Sequence, residues 1–277
     1  MSYFPIPPNI KLDINEEKLL GSLTLLNFPN NFQKRNYIKV SKKEIYIGIY
    51  LLKNKLWKLI KVKKCLFREF VEINRRSLEV SDCEMVVAII KKENIFPNIC
   101  SQLPIPDSLR VDNSSIAERA SINFSYKSSK TSYQGEYPVK MTQIERGSFF
   151  SFDALKGIGL DHEVKNFLLL INLNSSSQRQ SYKKVSIYDP HKKNILLELK
   201  ARENEVSIHN LSFFQDSNFL DKIFFISSNE SIFIPLMLSF DIKTNQLSLE
   251  HTHPPGEMFR GSDKWKAIQL LKRQWVL

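Results

Sequence analysis

The string Glu250-His251-Thr252-His253-Pro254-Pro255-Gly256-Glu257 sets two imidazoles and two carboxylates within eight residues. Alternate residues of an extended strand point to one face. His251 and His253 on a strand would therefore both address one metal ion, with Glu257 returning from the turn that Pro254-Pro255 imposes. Neutral imidazoles with a carboxylate suit zinc, iron or manganese, so the cofactor reading is either none or one of these divalent metals. Glu250 at the rim would then serve as a general base. The same alternation aligns both histidines with Leu247 and Leu249; if the leucines face a core, the histidines lie at its mouth, where a barrel keeps a ligand pocket. The competing reading makes both histidines structural, bonded to backbone where the proline pair ends the sheet.

A second concentration of chemistry is electrostatic. Residues 31–70 carry twelve lysines and arginines against Glu44 and Glu69, a net charge of +10 beside the whole chain's +11. Any electrostatic partner should meet this region first. Its lysines Lys42, Lys43, Lys53, Lys55, Lys58, Lys61, Lys63 and Lys64 interleave with Tyr37, Tyr46, Tyr50, Trp57 and Phe67. That mixture serves single-stranded nucleic acid, cations meeting phosphates and rings meeting bases. Lysines outnumber arginines 29 to 11, however, and arginine is the usual choice for planar bidentate contacts. The alternative is a solvated lysine face with aromatics packed beneath it.

Over residues 251 to 257 the pattern His-x-His-x3-Glu resembles the first metal-binding motif of the cupin family. The resemblance implies a metal-dependent enzyme or a metal-binding β-sandwich. In cupins the motif lies early in a barrel and a further His-bearing motif follows it. Here the twenty residues after Glu257 contain no histidine and read as a helix. Among the other histidines, His191 falls in a turn, His162 in a polar loop, and His209 on the face of Ser207. Gly157-Ile158-Gly159 lacks the strand and third glycine of a dinucleotide fingerprint. Neither a Gly-x-Ser-x-Gly elbow nor a phosphate-binding lysine loop is present.

The elements that must position these residues read mostly as strands. Ile45 to Leu51 alternates isoleucines and Leu51 against Tyr46, Gly48 and Tyr50, and Lys53-Asn54-Lys55 makes a tight connection into a second strand from Leu56 to Val62. Ser81 and Glu84 have capping-box spacing and would open a helix through Lys92, whereas the β-branched run from Val86 to Ile90 reads equally as a buried strand. Pro97, Pro104 and Pro106, followed by a stretch from Ser121 to Pro138 with little apolar periodicity, read as a break, and a domain boundary is expected near residue 106.

Beyond residue 140, strands are expected at Phe167–Ile171, Val185–Tyr188, Ile195–Leu199, Val206–Ile208, Ile223–Ile226 and Ile232–Ile242, the last turning at Lys243–Gln246 into Leu247–His253. Ser262 caps an expected amphipathic helix carrying Trp265, Ile268, Leu271 and Trp275. The fold class is therefore mainly β, with α+β as an alternative. A smaller basic β-rich domain over 1–106 precedes an antiparallel β-sandwich or jelly-roll-like domain over 107–277 that ends in the helix.

Composition supports a packed core, with 42% apolar and 11% aromatic residues. Cys65, Cys83 and Cys100 are odd in number and lack metal-finger spacing, so no disulfide framework is expected. No run reaches the roughly 18 apolar residues of a membrane helix, so no membrane insertion is expected. The first residues show no export signal, and the expected location is cytoplasmic. Three functions follow: a non-catalytic protein binding a ligand or protein partner, a metal-dependent enzyme or metal-binding sandwich using His251, His253 and Glu257, and a nucleic-acid-binding protein acting through residues 34–68.

Overall fold

The computed structural model describes residues 1–12, 16–26, 44–66, 69–82, 84–107, 120–143, 148–152, 163–189, 194–212, 224–228 and 234–251. Nineteen strands and two short 3-10 turns, Arg76–Leu78 and Val139–Gln143, make up its regular structure, with no α-helix among the described residues. Every paired strand is antiparallel, and the strands form four sheets. The C-terminal helix expected after Ser262 lies outside the described residues. No described helix is long and apolar enough to cross a membrane.

The chain divides into two compact units. The first comprises Met1–Tyr126, Ser132–Val139 and Ser175–Arg179; the second comprises Lys127–Thr131, Lys140–Asn174 and the chain from Gln180.

Most of the first unit is two sheets. The larger is built from β1 (Ser2–Pro5), β4 (Glu44–Lys53), β5 (Leu56–Leu66), β7 (Val86–Lys91), β8 (Ile99–Cys100) and β11 (Tyr137–Pro138), in the order β11-β1-β7-β4-β5-β8. The β-branched run Val86–Ile90 resolves as strand, because β4 pairs along one side of it and β1 along the other, and all five residues are buried. Ser81 and Glu84 still meet, but as a local turn in which the Glu84 carboxylate accepts from the Ser81 amide and hydroxyl. A helix would have left both faces of this apolar run half in water.

The second sheet contains β2 (Ile10–Lys11), β3 (Lys18–Leu26), β6 (Phe70–Asn74) and β9 (Ala120–Tyr126) of this unit together with β10 (Ser129–Gln134), of which residues 132–134 belong to it, and β6 pairs with β3. β9 and β10 fall in the stretch that the sequence reads as a break. β9 does alternate, since Ala120, Ile122, Phe124 and Tyr126 are all buried, but its own serines and Asn123, and the polar strand β10 beside it, mask the period. The fully buried Arg75 holds the approach to β7. Its guanidinium donates to the carbonyls of Ile6, Pro7, Ser81 and Glu84 at 2.6–3.1 Å. A buried cation needs such partners, because leaving water unpaired costs several kcal/mol, about 3 to 5 for a broken buried pair.

The second unit also holds two sheets. One orders β12 (Ser148–Phe152), β17 (Phe224–Ser228), β14 (Tyr182–Asp189) and β15 (Asn194–Arg202) as β12-β17-β14-β15. The other orders β16 (Glu205–Asn210), β13 (Val164–Asn172), β18 (Ile234–Asp241) and β19 (Leu247–His251) as β16-β13-β18-β19. Phe167–Ile171 is a central strand, as its unbroken apolar run predicts, with β16 and β18 on either side. One apolar cluster draws Leu168, Leu170 and Met237 from this sheet and Val185, Ile187 and Ala201 from the other.

Candidate binding surface

Of the metal set, Glu250 and His251 lie on β19, opposite Met237 and Leu236 of β18. Successive residues alternate faces, so Glu250 takes the face opposite to that of Leu247 and Leu249. His253 and Glu257 lie outside the described residues, as do Lys42, Lys43, Tyr37 and Phe67. Among the described residues no three His, Cys, Asp or Glu side chains gather where an ion would sit. His209 lies on β16 opposite Leu168. Its Nε2 is buried with no hydrogen-bond partner among the described residues, and burial holds its pKa below the usual value.

The lysine hairpin is formed by β4 and β5. Asn54 and Lys55 are its two-residue turn, with φ of 53° and 57°. Two positive φ values match the right-handed twist of the flanking strands, the reason such turns dominate two-residue hairpins. The register then slips once: Tyr50 faces Leu59 while Ile49 faces Lys61, so Ile60 is an extra residue in β5. A regular strand would separate Lys58 from Lys61 and Lys63. The bulge instead brings all three to the face of Leu51, Ile49 and Ile47, while Val62, Lys64 and Leu66 share the face of Gly48, Tyr46 and Glu44.

The aromatic residues go inward. Trp57 and Tyr50 are fully buried; the indole Nε1 donates to the Ser175 carbonyl at 3.0 Å and the phenol to the Pro97 carbonyl at 3.0 Å. Burial, followed by the nearby Cys100, pushes the Tyr50 pKa well up. Gly48 leaves room for the Phe96 ring, which a Cβ there would meet at 2.5 Å. Tyr46 donates to Glu44, and the same carboxylate pairs with Lys64. Neither buried ring is presented for a base to stack on.

What remains outward is a row of cations and aliphatics. Lys53, Lys55, Lys61 and Lys64 are exposed, and Lys58 and Lys63 half-buried. Lys63 donates to the Glu72 carbonyl at 3.2 Å, and burial and then the charge of Lys61 lower its pKa. Among the described residues Lys53, Lys55, Lys58 and Lys61 form no ion pair. Between them, Ile60, Val62 and Leu66 are 37%, 36% and 44% exposed. Sequence reasoning missed these three aliphatics, because their exposure follows from the bulge and from β5 lying near the sheet edge.

The first unit also has an open cleft of about 730 Å³, lined by Met1, Lys91, Lys92, Ile95, Ile105 and Asp107 among others. Asp107 accepts from the Lys92 amide at 2.7 Å and the Lys91 ammonium at 3.2 Å. Burial alone would raise its pKa, but the Lys92 amide and the Lys91 ammonium outweigh it and hold the carboxyl below its usual range. The cleft thus meets much of its own charge, whereas the β5 row does not. Comparison of the chain with protein-family models, with curated proteins and with solved structures gives no match.

Proposed function

We propose that this chain is a non-catalytic, cytoplasmic partner-binding protein whose docking surface is the lysine row of the β4–β5 hairpin, and that its partner is polyanionic. The single observation behind this reading is that Lys53, Lys55, Lys58 and Lys61 crowd one hairpin with no counter-charge among the described residues. Like charges this close repel one another, and an anion that bridges them relieves the repulsion. The other strands of the first unit then serve as the backing of the row, and the second unit is read as a sandwich or jelly-roll-like domain.

The test uses poly-L-glutamate as probe and compares the wild-type protein with a Lys53→Gln/Lys55→Gln/Lys58→Gln/Lys61→Gln variant. Wild-type affinity is expected to fall steeply as salt rises, because exposed charges are screened within about 10 Å at 0.1 M. The variant should bind at least about tenfold more weakly at low salt, a loss of roughly 1.4 kcal/mol. Equal binding by both proteins would discard the reading. Nucleic acid is the second polyanion to weigh, but burial of Tyr50 and Trp57 removes two of the five rings that a base-stacking platform would use.

A further inference from the structure

We propose that the outer edge of β5, from Ile60 to Lys64, takes up an extended acidic peptide segment as an added antiparallel strand. This rests on the polyanion reading and names its partner class. β8 covers only the start of that edge, pairing at Trp57 and Lys58, with the Leu59 amide donating to the Asn98 carbonyl at 2.9 Å. Beyond Leu59 no described strand pairs with β5 on that side.

The direction of the backbone groups can be read from the far end. The Leu66 amide donates to the Glu69 carboxylate at 3.0 Å, and the Leu66 carbonyl accepts from the Glu69 amide at 3.1 Å. Leu66 therefore turns its backbone outward, and alternation turns Val62 and Lys64 outward as well. An unpaired strand edge of this kind is a template for another strand.

The side chains choose the occupant. On an added strand, residues two apart repeat at about 6.6 to 6.8 Å, the spacing of Lys61 and Lys63. Carboxylates at alternate positions would face these lysines, and aliphatics on the other face would cover Val62 and Leu66. A phosphate backbone satisfies the cations but leaves the exposed aliphatics and backbone donors unused. Lysines on an edge also repel a second copy of the same edge. The row that rejects self-pairing is thus the row that admits an acidic strand.

The experiment uses the full-length protein with three probes: an octapeptide of alternating valine and glutamate, the same peptide N-methylated at every other residue, and a thymidine oligonucleotide of equal charge. Affinity is read by fluorescence anisotropy, and protection of the Val62 and Lys64 amides by hydrogen exchange. The unmodified peptide is expected to bind at least about tenfold tighter than its methylated form, to exceed the oligonucleotide, and to protect both amides. Equal affinity for the two peptides without protection overturns strand addition while leaving the polyanion reading intact. Tighter binding of the oligonucleotide overturns the peptide assignment in favour of nucleic acid. Absence of salt-dependent binding by any probe overturns both.

Discussion

His209 shows how little a residue's type says about its setting. On β16 it shares a face with Ser207, which from sequence reads as solvated, yet Nε2 is buried with no partner among the described residues, and burial lowers its pKa. The sign follows from linkage. A histidine whose folded pKa is depressed contributes stability that is full above the unfolded value of about 6.5 and is lost as pH falls through that value toward the folded one. Denaturant titrations at pH 7.5 and pH 5 should therefore show a drop for the wild type and a smaller drop for His209→Leu; identical drops would mean that His209 is not the group responsible. Trp57 and Tyr50 make the same point about the candidate surface. Their interleaving with lysine is visible in the sequence, but a strand with one buried face and a stacking platform have the same alternation, and only the fold separates them. Arg75 gave no signal at all, because a lone arginine becomes a core residue only once four carbonyls converge on it.

At the scale of elements, the β4–β5 hairpin was legible where the chemistry is local. The seven alternating residues form the strand read from them, and the expected connection Lys53-Asn54-Lys55 proves to be the two-residue turn Asn54-Lys55, with Lys53 paired in β4. The bulge was not legible, since an extra residue within Leu59-Ile60-Lys61 changes no periodicity strong enough to detect. It nevertheless decides which lysines share a face. β9 and β10 were missed because serine and lysine on the outward positions dilute the apolar count, while β13 and β18 were plain because both of their faces are buried. The turn carries its own test. Lys55 holds a φ of 57°, a left-handed conformation that costs a residue with a Cβ about 1 to 2 kcal/mol. After the entropy that glycine loses on folding, Lys55→Gly should gain up to about 1 kcal/mol. A higher melting temperature is the expected readout, and a lower one would place the strain elsewhere.

For the whole molecule, the uneven charge is the fact on which the proposed function rests. The chain carries +11, most of it between residues 31 and 70. In the first unit, residues 44–66 place six of the twelve cations of that segment along one hairpin. The second unit's exposed lysines, such as Lys200 and Lys243, provide an internal comparison, because a merely basic protein would attract a polyanion at them as well. Lysine acetylation footprinting in the presence and absence of poly-L-glutamate compares the two classes in one measurement. Lys58 and Lys61 are expected to be slowed selectively while Lys200 and Lys243 react at their free rates. Uniform protection, or protection concentrated on the second unit, would contradict the assignment of the β5 row as the binding surface.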